Sequence, residues 1–224
     1  MNAIFYAALA VHITCGFVCT LLGLVPLLTR KGGRNHRRSG RLFAYLMGVL
    51  LGAAWIMTAL HFSLYFLALS AMATLGLFSG VRVLRRKRPD ITPADRATAL
   101  DWTATVCIVG ISAWTLYASL SGGTGGGSTV SLALAASGLT YGGYDIWRFC
   151  APSAWPFTPK LWLYEHLVKM IGAYSAVMSA FSGNFIRFIP APWSQLWPSI
   201  VFQLLAIAWI IILVMQDRAR NRTA

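Results

Sequence analysis

The sequence predicts an all-α integral membrane protein: a bundle of seven transmembrane helices, with the N-terminus outside and the C-terminus inside. Three observations predict it. The chain is 57% hydrophobic and 11% charged, with a mean hydropathy of +0.63; soluble domains carry roughly 45–50% apolar and about 25% charged residues. Seven stretches reach the ~20 mainly apolar residues that a bilayer core requires. The cations also gather in alternate interhelical segments, the pattern that orients a membrane protein with its positive loops inside.

The first span covers about 3–29. It lacks a basic segment ahead of it and is too long for a cleavable signal. RKGGRNHRRSGR follows, with Arg30, Lys31, Arg34, Arg37, Arg38 and Arg41. The second span, 42–62, and the third, 64–84, are separated only around His61 to Ser63. Two spans with a tight turn are expected there, with one re-entrant unit as the competing reading. Arg82, Arg85, Arg86, Lys87, Arg88 and Arg96 lie at the end of the third span and after it. The fourth span, 101–121, opens on Asp101, a carboxylate at the positive end of a helix dipole. SGGTGGGS (121–128) has the composition of a flexible linker. The fifth span, 128–149, contains Gly142–Gly143, the one candidate for an unwound segment. Arg148 and Lys160 bracket the next loop, and the sixth span covers 161–185. In the loop from Ile186 to Ser199, Trp193 and Trp197 suit a membrane interface. Pro198 suits the first turn of the seventh span, 197–216, where no amide donor is needed. A short basic tail, 217–224, completes one transmembrane domain covering 1–224.

All the basic segments fall on one side. The two loops expected on the other side carry one cation, Arg187. This places the basic side at the cytoplasmic face of a bacterial inner membrane. A net charge of +13 in a soluble protein would point to nucleic acid, but no aromatic residue is interleaved in RKGGRNHRRSGR for stacking. The expected partners are therefore the lipid bilayer and its anionic headgroups, at about 1 kcal/mol per cation near the surface, together with a candidate membrane partner subunit. Gly32 and Gly33 offer a competing local use of that loop, as a phosphate or headgroup site.

Ionisable groups within spans are costly and usually functional. His12, His61, Asp145, Glu165, His166 and Lys169 are the candidates, with His36 in the first basic loop. Arg148 can pair with Asp145 at i,i+3. His166, Met170 and Tyr174 share one helical stripe, beside the small residues Gly172, Ala173, Ser175, Ala176 and Ser179, which permit close helix contact. His12, Cys15 and Cys19 form a second stripe, whose imidazole and thiolates suit copper, zinc or haem iron; the same stripe also suits helix packing. The candidate cofactors are haem b or a transition metal. A haem would draw on His12, His61, His166, Met170 and Tyr174, although His12 and His61 differ in expected depth by two helical turns. The four cysteines form no CxxC and no disulfide framework. No HExxH, GxSxG, Walker or GxGxxG motif occurs, so no reaction class is selected.

The stretch VHITCGFVCTLLGLVPLLTRKGGRNHRRSGRLFAYLM is similar to a bacterial family of multi-pass membrane proteins without an assigned activity. The shared pattern falls on His12, Gly16, Lys31, Gly32, His36, Gly40, Phe43 and Met47. PKLWLYEHLVKMIGAYSAVMSAFSGNF resembles the end of related proteins, through Trp162, His166, Met170, Tyr174, Phe181, Asn184 and Pro198. The resemblance implies a multi-pass bacterial membrane protein and implies no activity. Three functional classes follow from the residues. One is a haem- or metal-binding redox protein. A second is a small-solute or proton-coupled transporter, with Asp145, Glu165, His166 and Lys169 lining its inner vestibule and His12 its midplane. The third is a non-catalytic subunit or assembly factor.

Overall fold

The structure is a computed structural model that describes residues 3–121, 129–152 and 159–222. Among the described residues seven long helices form the bundle: α1 (Ala3–Leu22, continued after a break at Gly23 by Leu24–Leu28), α2 (Arg34–Leu60), α3 (Leu64–Arg82), α4 (Ala99–Leu120), α5 (Thr129–Cys150), α6 (Leu161–Phe185) and α7 (Trp193–Arg222). No strand occurs among the described residues. Among the described residues, five segments are long and apolar enough to cross a membrane: Ala3–Leu28, Arg34–Leu60, Leu64–Arg85, Pro93–Leu120 and Trp193–Ala219. The chain is thus an all-helical membrane protein. α5 and α6 have the length, at 22 and 25 residues, but contain Gly, Ser and charged residues. α6 sits inside the bundle, packed on α1, α3 and α7, so protein rather than lipid surrounds its polar groups.

Several boundaries differ from expectation, each for a local reason. α2 begins at Arg34, so most of the basic stretch is helical and only a short turn remains. Gly32, at φ +74°, makes that turn; a left-handed backbone suits a residue without Cβ. The Gly33 amide donates to the Arg30 carbonyl at 3.0 Å, so it does not converge on an anion. α7 begins at Trp193, because the Pro190 and Pro192 carbonyls accept the amides of Ser194, Gln195 and Leu196. Pro198 therefore lies inside the helix rather than in its first turn. α5 runs unbroken through Gly142 and Gly143, and no unwound segment exists there. α2 and α3 are separate helices divided at His61–Ser63. The basic tail continues α7 as far as Arg222. The glycine run at 122–128 lies outside the described residues.

Two contacts pull α6 into the bundle. Gly76 and Gly80 of α3 let the helices approach: a Cβ at Gly80 would stand 2.9 Å from Met170 Sδ, and one at Gly76 would stand 3.5 Å from the Ala173 amide nitrogen. The Tyr174 ring fills the space that a Cβ at Gly23 would need. The Tyr174 hydroxyl donates to the Thr20 carbonyl at 2.8 Å. The core around this ring joins Cys19, Phe43, Met47, Leu50, Ala73 and Leu77. Lys31 lies 3.9 Å over the Trp209 ring and Lys87 4.9 Å over Trp162, while Lys160 pairs with Asp217. The basic segments thus share one end of the bundle.

Candidate functional site

Toward the basic end, α3, α5 and α6 enclose a buried polar triad. Asp145 is 1% exposed, Ser79 2% and Lys169 4%. Lys169 Nζ donates to Asp145 Oδ1 at 2.5 Å and to Ser79 Oγ at 2.7 Å. The Ser79 hydroxyl donates to Asp145 Oδ2 at 2.5 Å. Every member donates to or accepts from another, which is the condition for tolerating a charge pair away from water. Arg148 does not take Asp145 as its i,i+3 partner. Its guanidinium meets Glu165 at 3.2 Å, and the Tyr144 hydroxyl donates to the same carboxylate at 2.7 Å. The reason is depth and rotation: Lys169 approaches Asp145 from the facing helix, while Arg148 points outward to the Ala151 carbonyl and Glu165.

A small cleft opens beside the triad. Its cavity of about 20 Å³ is lined by Val83, Arg86, Asp95, Arg96, Asp145, Arg148, Phe149, Glu165 and Lys169 among others. That volume holds about one water molecule. Of the expected vestibule residues, Asp145, Glu165 and Lys169 reach it and His166 does not.

The other half of the bundle holds a much larger space. A cavity of about 470 Å³ lies between α1, α2, α3 and α6. Ligand cavities typically measure about 300–1,000 Å³. Its wall is mainly aliphatic and aromatic. The polar groups are His12, His61, Tyr65, Asn184, Thr20, Thr58 and Ser70; no Lys, Arg, Asp or Glu lines it among the described residues. His12 Nδ1 donates to the Leu50 carbonyl at 3.3 Å. A carbonyl only accepts, so in the neutral ring Nε2 keeps its lone pair.

The histidines do not converge. His61 packs on Phe5 with ring centroids 4.6 Å apart. His12 lies seven residues further along α1, about 10 Å deeper at ~1.5 Å per residue. His166 Nδ1 donates to the Gly80 carbonyl at 2.8 Å and His36 Nδ1 to the Pro26 carbonyl at 3.1 Å, both near the basic end. The stripe of His166, Met170 and Tyr174 packs on Gly80 and Thr20 rather than on the large cavity. In the second stripe Cys19 is buried in the core, Cys15 is half-buried beside it, and His12 lines the cavity. Among the described residues no three His, Cys, Asp or Glu side chains group as ligands for a metal ion.

Sequence reading missed Ser79, Tyr65 and Arg86. A serine in an apolar helix has no pattern that separates a hydrogen-bonding partner from a packing residue. Arg86 was indistinguishable from the basic residues around it. No family model, curated protein or solved structure matches the chain.

Proposed function

We propose that this is a bacterial inner-membrane protein, N-terminus out and C-terminus in, that binds a neutral, flat, lipid-soluble redox molecule of the quinone class in the large cavity. The observation that carries this reading is the cavity wall: about 470 Å³, aromatic and aliphatic, with hydrogen-bonding side chains and no Lys, Arg, Asp or Glu among its described residues. A quinone or hydroquinone is uncharged and presents a carbonyl or hydroxyl at each end of a ring. His12 Nε2 would accept from a hydroquinone hydroxyl and Tyr65 would donate to a quinone carbonyl. An isoprenoid tail would leave between the exposed rings of Phe17, Phe66 and Phe185. Haem, the other flat candidate, carries two propionates, and this wall gives them no Lys or Arg.

The test is binding of a short-chain quinone to protein purified in mild detergent, with a reduced-minus-oxidised absorbance spectrum of the same sample. One saturable site per chain is expected. His12→Ala and Tyr65→Phe should each weaken it about tenfold, the value of one hydrogen bond of ~1.4 kcal/mol. Sharp α and β bands would assign a haem instead, and absence of saturable binding would end the quinone reading.

The buried triad favours a second reading, in which the protein carries protons or a proton-coupled solute. Intramembrane ionisable groups are typical of such relays, and the cleft brings a water-sized space to Asp145 and Lys169. In liposomes under a pH gradient, wild type should move protons and Asp145→Asn/Lys169→Met should not, since that double change keeps the site neutral. Equal flux would discard this reading.

A further inference from the structure

At the basic end, Arg86 is in an unusual state. It is only 8% exposed, and its Nε is buried without a hydrogen bond. A buried guanidinium nitrogen left unpaired is costly. Its nearest acid, Asp101, stands 3.8 Å away, and Asp101 is already engaged. Arg82 reaches both its oxygens, at 2.9 and 2.6 Å, and Thr98 donates to it through amide and hydroxyl. Phe149 covers one face of the Arg86 guanidinium at 4.7 Å.

Arg86 and Phe149 both line the small cleft. Its cations are Arg86, Arg96, Arg148 and Lys169, and its carboxylates Asp95, Asp145 and Glu165. Lys169 is matched by Asp145 and Arg148 by Glu165. Asp95 Oδ2 accepts the Arg88 amide at 2.9 Å. Arg86 shares Asp101 with Arg82 at the longer distance of 3.8 Å, and within the cleft Arg86 and the exposed Arg96 face one further carboxylate, Asp95. The cleft therefore combines more cations than carboxylates among its lining residues, a buried guanidinium nitrogen without a hydrogen bond and room for about one oxygen atom.

We infer that this cleft binds a phosphate group, which inserts one anionic oxygen against Arg86 while Arg96 holds the rest at the rim. The small volume admits an oxygen and not a whole phosphate, so the remainder of the ligand stays at the surface. Planar guanidinium groups suit phosphate oxygens by charge and by geometry. The group could come from an anionic lipid headgroup or from free phosphate, and the two are separable by experiment. This inference is independent of the quinone reading, because the cleft and the large cavity share no lining residue.

The test uses the full chain in nanodiscs of neutral phosphatidylcholine, with phosphatidylglycerol titrated in, or inorganic phosphate added to the neutral discs. Retained lipid is counted by native mass spectrometry and phosphate binding is read by calorimetry. Wild type should hold one phosphatidylglycerol, or one phosphate, about tenfold more tightly than Arg86→Gln or Arg96→Gln. Saturation by lipid alone identifies a headgroup site, and saturation by inorganic phosphate identifies a free-anion site. Arg96→Gln, at an exposed position, keeps the test valid if Arg86→Gln fails to fold. Equal affinity in wild type and Arg96→Gln, or no saturable binding of either probe, overturns the inference.

Discussion

Lys169 Nζ stands 2.5 Å from Asp145 Oδ1, between two helices and with both side chains almost wholly buried. Removing one partner strands the other. Asp145→Asn alone or Lys169→Met alone should each cost about 3–5 kcal/mol, read as a lowered unfolding midpoint in detergent. The double change Asp145→Asn/Lys169→Met should recover most of that loss. A double variant no more stable than the worse single one would show that the pair is not an isolated charge couple.

Two adjacent glycines should respond oppositely to alanine. A Cβ at Gly142 would overlap Val109 Cγ2, whereas one at Gly143 meets nothing within 4 Å. A valine in a helix has little rotamer freedom with which to yield. Gly142→Ala should cost ~1–3 kcal/mol by overpacking. Gly143→Ala should gain up to about 1 kcal/mol from helix propensity. Unfolding midpoints of the two variants decide this directly, and equal effects would refute the packing.

The start of α4 is held by a reciprocal cap. Thr98 accepts the amide of the third helical residue while Asp101 accepts the Thr98 amide at 2.9 Å. Thr98→Ala should cost about 1 kcal/mol. Asp101→Asn should cost more, because Arg82 and Arg86 then lose their shared carboxylate. Hydrogen exchange at 99–102 is the sensitive readout, and unchanged protection in Thr98→Ala would contradict the cap.

Lys31, in the turn between α1 and α2, donates to the Pro26 and Leu27 carbonyls at 2.7 and 2.6 Å. Burial pushes its ammonium down to about 8. The unfolded value is about 10.4, so the folded state binds this proton more weakly. The contribution to stability is fully present above the unfolded value and is lost as pH falls through about 8. Stability should therefore rise between pH 8 and 10, and Lys31→Met should flatten that rise. Parallel slopes in the two melting profiles would exclude Lys31 as the source.

The number and order of the helices were legible in the sequence, because an apolar run long enough to span a bilayer is a local property. The grouping of basic segments was legible too, since each loop carries its own count of cations. The candidate site was legible only as a set of residue types. Asp145, Glu165 and Lys169 stood out as charges in apolar surroundings, and His12 and His61 as imidazoles in spans. Their partners did not, because an i,i+3 spacing favours Arg148 while the facing helix brings Lys169 to the same carboxylate.

By itself the sequence determined a seven-helix membrane protein with its basic segments at one end. Hydrophobic length and loop charge suffice for that, and neither depends on which helix touches which. Only the tertiary structure decided that Ser79 joins Asp145 from 66 positions away, that Arg86 Nε is buried without a hydrogen bond, and that a mainly apolar cavity opens beside His12. These depend on the rotation and depth of each helix against its neighbours. The contacts at Gly76, Gly80 and Gly23 set those two quantities, and hydropathy does not encode them.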